Sequence, residues 1–186
     1  MDKKRVTFYV DGFNFYYGLK RMKHVDSKWH RYYWIDVVKL FEQSLGANQE
    51  LVKVIYFTAS PLAPDKSSRQ SAFLNANALL HPDKFEVVRG KYINKTIMCP
   101  FCKTSISRPE EKKTDVNLSV RMMGDCFKNE TDIVVLVSAD TDLIPPIDFI
   151  LKNFNNKKVK VYFPPSNNSF DINGFMHAHK SSVIKL

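Results

Sequence analysis

Asp11 closes the apolar run Val6–Val10, and Asp140 and Asp142 follow the apolar run Ile133–Val137 within Ser138-Ala139-Asp140-Thr141-Asp142. Asp115 follows the polar run Glu110-Glu111-Lys112-Lys113-Thr114 and opens an amphipathic stretch that ends at Phe127. In open parallel sheets, ligands bind outside the carboxyl ends of the strands, where strand order reverses. Acids at two such ends can therefore meet in one crevice although they lie far apart along the chain. Packed carboxylates repel one another, and a divalent cation relieves that cost. Hard oxygen donors select Mg2+ or Mn2+. Such an ion polarises a phosphoryl oxygen and activates water, which suits phosphodiester hydrolysis. Each acid also has a local role open to it. Asp142 could cap a helix ahead of Pro145, Asp115 could complement a helix N-terminus, and Asp11 beside Gly12 could be turn chemistry. Those local roles do not explain why two strand ends carry acids at one edge.

The elements that must position these acids alternate in type. Val6–Val10, Leu51–Thr58, Phe85–Val88, Ile133–Val137 and Val159–Phe163 read as strands. Between them, Asn14–Met22, Ile35–Leu45, Ser67–Leu80, Asp115–Phe127 and Leu143–Phe154 read as helices, and a short helix is expected in the tail from Ser169. His24–Tyr33 lacks a period and is expected as a loop. The Asp115–Phe127 helix is expected to bury Val116, Val120, Met123 and Phe127. Ile133–Val137 is continuous and β-branched, as a strand covered on both faces is. The alternation predicts an α/β fold with a parallel sheet of about five strands and right-handed crossovers.

The chain has 186 residues, 44% of them hydrophobic, which suits one globular domain over 1–186 with a small insertion at about 90–110. A formal net charge of +9 favours a polyanionic partner, nucleic acid before membrane surface. No run approaches the roughly 18 apolar residues of a membrane span. Only Val6–Val10 follows the basic Met1–Arg5, too short for the apolar part of a signal peptide, so a cytoplasmic location is expected. Three cysteines are not a secreted disulfide framework.

Three blocks then carry a resemblance. Tyr9-Val10-Asp11-Gly12-Phe13-Asn14 resembles the opening motif of NYN domains, relatives of the PIN-like nucleases that include the LabA-like group. Glu111-Lys112-Lys113-Thr114-Asp115-Val116-Asn117-Leu118 is similar to the second motif, and Val137-Ser138-Ala139-Asp140-Thr141-Asp142-Leu143-Ile144-Pro145 to the third, with Ala139 where glycine is common. The blocks occur in the family's order. The resemblance implies a PIN-like three-layer α/β/α sandwich around a mostly parallel sheet. It implies Mg2+- or Mn2+-dependent cleavage of RNA, with Asp11, Asp115, Asp140 and Asp142 as metal ligands. Asn14 would orient a ligand or water, and Ser138 would lie at the pocket edge in contact with RNA. Lys112 and Lys113 could add positive charge near the phosphate. A non-catalytic RNA-binding module on the same fold is the first alternative. A phosphatase is the second, because Asp140-Thr141-Asp142 superficially matches the Asp-x-Asp of haloacid-dehalogenase-type enzymes. That chemistry wants its nucleophile after the first strand.

Cys99-Pro100-Phe101-Cys102 has zinc-knuckle spacing but is half of a tetrahedral site. His81 and Cys126, the latter expected to face away from the core, or a homodimer partner could complete it; free thiols or a labile disulfide are the alternatives. Phe13, Phe15, Tyr16 and Tyr17, and then Trp29, Tyr32, Tyr33 and Trp34, form two aromatic clusters that could stack on unpaired bases. Phe13 and Trp34 are expected to be buried. Arg89, Lys91 and Lys95 could contact an RNA backbone, and His177 and His179 are expected in a solvated tail.

Overall fold

A computed structural model describes residues 2–165 and 181–183. The described chain runs β1 (Lys4–Asp11), α1 (Gly12–Val25), a 3-10 segment (Ser27–Trp34), α2 (Val37–Glu42), β2 (Gln49–Thr58), α3 (Pro64–Leu80) and β3 (Phe85–Arg89). It continues through β4 (Lys91–Met98), β5 (Ser105–Lys112), α4 (Thr114–Phe127), β6 (Ile133–Val137), a short 3-10 turn (Thr141–Leu143), α5 (Ile144–Asn153), β7 (Lys158–Phe163) and β8 (Ser181–Val183).

The central sheet has the order β3-β2-β1-β6-β7-β8, and every pairing is parallel. Strand order reverses between β1 and β6, so the crevice of a doubly wound sheet opens at Asp11 and Ser138. Helices cover both faces, which is why β6 is buried along its whole length and β1 from Val6 onward. One core joins Val6, Phe8 and Val10 to Phe15, Leu19, Val37, Val38, Phe41 and Leu74, from α1, α2 and α3. The other joins Tyr9, Ile55, Phe57 and Leu136 to Leu118 and Met122 of α4 and Ile147 and Ile150 of α5. This is the expected α/β/α sandwich, with one more strand than the five expected. The tail helix expected from Ser169 falls largely outside the described residues, and Ser181–Val183 within it is a strand beside β7. Among the described residues, no helix is long and apolar enough to cross a membrane.

Two local expectations are corrected. The segment expected as a loop is mostly helical: α1 runs on to Val25, and Asp26 caps the 3-10 segment by accepting the Lys28 backbone N–H. In α4 the buried face is Thr114, Leu118, Met122, Asp125 and Cys126, whereas Val116 and Phe127 are 65% and 82% exposed. The helix is rotated because its polar members find partners inside. Asp125 accepts the Tyr9 hydroxyl at 2.8 Å and the Arg121 guanidinium at 2.9 Å, and Thr114 donates to Glu111. Satisfied in this way, polar residues can occupy a core stripe that apolar spacing alone would not assign to them.

Between β3 and α4, β4 and β5 form an antiparallel hairpin that pairs with neither edge of the main sheet. Its base is anchored where the Tyr92 ring meets Phe13 edge-on, with centroids 6.0 Å apart.

Candidate active site at the sheet crevice

β1 delivers Asp11 to the crevice, and the chain turns directly into α1, with Asp11 as its N-cap. Asp11 Oδ1 accepts the backbone N–H groups of Phe13 and Asn14, each at 3.1 Å. Oδ2 accepts Asn14 Nδ2 at 2.6 Å and the Ser138 hydroxyl at 2.8 Å. The turn requires Gly12: a Cβ there would stand 2.7 Å from the Phe57 carbonyl oxygen and closer still to the Tyr56 ring. Ser138 also accepts the Asp140 backbone N–H at 3.1 Å. One hydroxyl thereby ties the ends of β1 and β6 together. Ser138 is wholly buried, so the expectation that it contacts RNA at the pocket edge is corrected: its oxygen lies behind Asp11 and fixes that carboxylate.

After β6, Asp140 accepts the Asp142 backbone N–H at 3.0 Å and so caps the 3-10 turn leading to α5. Asp142 does not cap α5, whose N-cap is Leu143 without a side-chain hydrogen bond, and it projects to solvent. Asp115 stands in the first turn of α4. Its carboxyl is pushed up to about 6, first by burial and then by the negative charges of Asp11, Asp140, Glu111 and Asp142. The charges of the other three expected acids therefore reach Asp115, and that of Glu111 joins them. Glu111 was visible in the second motif but carried no assigned role. Its carboxylate accepts the Thr114 N–H and hydroxyl. A Cβ at Gly90 would stand 3.0 Å from that carboxylate and 2.8 Å from the Lys112 carbonyl oxygen, so this turn also needs a bare glycine.

The donor set is all oxygen, which fits a hard divalent cation. The spacing is looser than a closed shell: among the described residues, no three His, Cys, Asp or Glu side chains stand close enough to enclose an ion. Asp11 already accepts four hydrogen bonds, about the capacity of a carboxylate. The arrangement suits an ion that keeps several of its waters, as Mg2+ does, more than one stripped to protein ligands.

The expected basic contacts are dispersed. Arg89 donates to the Ser60 hydroxyl at 2.7 Å, and Lys112 pairs with Glu110 at 2.7 Å. Lys91 begins β4, and Lys113 holds a left-handed conformation (φ 78°) ahead of α4. A richer surface lies on the other side of Gly12. A cleft of about 790 Å3 is lined by Phe13, Tyr16, Tyr17, Tyr33, Trp34 and Tyr92, with Lys20, Lys23, Lys66 and Arg69 among its cations. Trp34, expected in the core, is 59% exposed there. The tyrosines were visible as a cluster. The contribution of α3 and β4 to the same cleft was not, because it depends on the crossover and the hairpin.

The chain is similar to 6-hydroxy-3-succinoylpyridine 3-monooxygenase HspA of Pseudomonas putida (strain DSM 28022 / S16), at 28% identity over 87% of this chain. It spans 60% of that relative's length. Its fold is similar to the crystal structure of a protein of unknown function from Vibrio parahaemolyticus RIMD 2210633, with a TM-score of 0.59 and 22% identity. That likeness covers 98% of this chain and 94% of the other. The NYN domain model matches residues 5–174. With the three motif blocks gathered at one sheet crevice and nearly the whole length matched, the chain belongs to the NYN domain family.

Proposed function

We propose that this chain hydrolyses phosphodiester bonds of single-stranded RNA with Mg2+ or Mn2+. The observation that carries the reading is the negative charge that Asp11, Asp140, Glu111 and Asp142 bring to Asp115 at the sheet crevice, in a chain whose formal net charge is +9. Asp115, Asp140 and Asp142 would hold the ion, with Asp11 behind them. When bound, a divalent cation offsets charge on the phosphoryl oxygens and makes its water more acidic. Ser138 and Asn14 keep the Asp11 carboxylate in one orientation, so the pocket is preorganised before substrate arrives. The cations of the adjoining cleft attract the phosphate backbone, and its aromatic rings offer faces to unpaired bases.

The experiment is incubation of the protein with labelled single-stranded RNA in Mn2+, Mg2+ or EDTA, beside Asp140→Asn. Metal-dependent cleavage that the variant loses is the expected result. RNA retained but uncut in every metal would replace this reading with the non-catalytic RNA-binding module. DNA cut as readily as RNA would widen the substrate class.

A second reading is favoured by the cleft itself. Its volume and aromatic lining suit a small aromatic acid, the class of compound for which the Pseudomonas putida relative is named. Thermal stabilisation by 6-hydroxy-3-succinoylpyridine, absent in Trp34→Ala, would support it. No shift at saturating compound would remove it.

A further inference from the structure

The tip of the β4–β5 hairpin, unlike its base at Tyr92 and Glu111, has features the pocket does not explain. A lone two-stranded hairpin is at best marginally stable in water, yet this one keeps eight paired positions, from Lys91 opposite Lys112 to Met98 opposite Ser105. At its tip, Cys99-Pro100-Phe101-Cys102 is folded into a closed turn. The Cys99 N–H donates to the Thr104 carbonyl at 2.9 Å, and the Lys103 N–H donates back to the Cys99 carbonyl at 3.0 Å. Lys103, immediately after the second cysteine, holds a left-handed conformation (φ 58°). That conformation is unfavourable for a residue with a Cβ. A turn of this form presents two sulfurs from one hairpin tip and leaves half of a tetrahedral thiolate site.

Among the described residues, the other half is not supplied nearby: no third His, Cys, Asp or Glu joins the pair. Cys126 is buried in the core beneath α4, which corrects the expectation that it faces outward. The His81 imidazole lies 2.9 Å from the Asp36 carboxylate. Meanwhile the tip is unusually apolar for a surface. Phe101, between the two cysteines, is 93% exposed, and Met98, Ile97, Ile93 and Ile106 are each about half exposed or more. Ile97 faces Ile106 across the hairpin, so the apolar positions are continuous with the thiols. Exposed apolar surface of this kind marks a contact site.

We infer that Cys99 and Cys102 form half of a zinc site that a second copy of this chain completes, two hairpin tips meeting about a two-fold axis to enclose one Zn2+ in four thiolates. The symmetry supplies the four sulfurs that tetrahedral zinc requires, with Zn–S bonds of about 2.3 Å. The exposed Phe101 and isoleucines of each tip are covered in the same step. The ligands are thiolates, so binding releases the thiol protons to solvent and needs no oxidant. The site is independent of the carboxylate pocket and of the RNA reading.

The test is metal content and mass in solution on the whole chain, purified with zinc under a thiol reductant. One zinc per two chains is expected, in a dimer that EDTA dissociates. The Cys99→Ser, Cys102→Ser double variant is expected to be a zinc-free monomer with an unchanged far-UV spectrum. Substituting Co2+ into the unaltered protein gives a second readout that does not depend on the variant folding: intense absorption of tetrahedral cobalt with four thiolates. One zinc per chain in a monomer would overturn the inference, placing the remaining ligands within the same chain. Failure to retain zinc, a Cys99–Cys102 disulfide that persists under reductant, or a dimer indifferent to EDTA would each overturn it as well.

Discussion

Replacing Asp115 by asparagine should make the metal-free protein more stable. Burial and four neighbouring carboxylates hold the Asp115 carboxyl at about 6, against an ordinary value of 3.8. Because the folded chain binds this proton more tightly than the unfolded chain, the folded state between these two values keeps a proton that the unfolded state has lost. Stability therefore falls as pH rises through that window and levels off above about 6. The full difference corresponds to at most about 3 kcal/mol, and solvent screening of a partly buried group leaves about 1–2 kcal/mol. Asparagine keeps the shape and removes the charge. In EDTA at pH 7.5 it should raise Tm by about 2–8 °C for a domain of this size, and below pH 4 the two proteins should melt together. Saturating Mg2+ or Mn2+ should stabilise the unaltered protein more than the variant and narrow the gap. Thermal melts followed by circular dichroism at the two pH values, with EDTA and with metal, read all of this. A variant no more stable at pH 7.5, or equally stabilised at both pH values, would refute the argument that these carboxylates repel one another across a shared pocket.

Arg121 bridges α4 to β3, reaching Asp125 at 2.9 Å and Glu86 at 2.6 Å, and Asp125 is nearly buried. Arg121→Ala should cost about 3–5 kcal/mol, because it leaves a carboxylate inside without its cation, and denaturant melts should show it; a loss below about 1 kcal/mol would mean that water reaches Asp125. The rotated face of α4 is tested by contrast: Met122→Ala should cost about 2–5 kcal/mol, while Phe127→Ser should change stability by about 0.5 kcal/mol or less. The reverse order would restore the face expected from apolar spacing. Gly12→Ala must push Tyr56 or the Phe57 backbone aside. It should destabilise the fold by about 1–3 kcal/mol and abolish any metal-dependent cleavage, since Asp11 sits on the displaced turn; a variant with unaltered melting would show that the turn is softer than the packing implies.

The aspartates and the strands that carry them were legible because both signals are local. A β-branched run ending in an acid needs no distant partner to be recognised, and parallel strands buried on both faces are apolar throughout. The alternation of strands and helices likewise placed Asp11 and Asp140 at one edge, through the handedness of crossovers. Tertiary structure decided what depends on partners from elsewhere. Ser138 is hidden rather than exposed because Asp11 takes its hydroxyl. Asp125 is inside rather than outside because Tyr9 and Arg121 accompany it, which turns α4 and leaves Val116 and Phe127 in water. The aromatic and basic cleft arises only where α1, the 3-10 segment, α3 and the hairpin converge. The sequence thus determined which groups could do chemistry and on which edge of the sheet they stand. Which side chains face inward was left to packing, because a polar residue is buried only where a partner, often far along the chain, satisfies its hydrogen bonds.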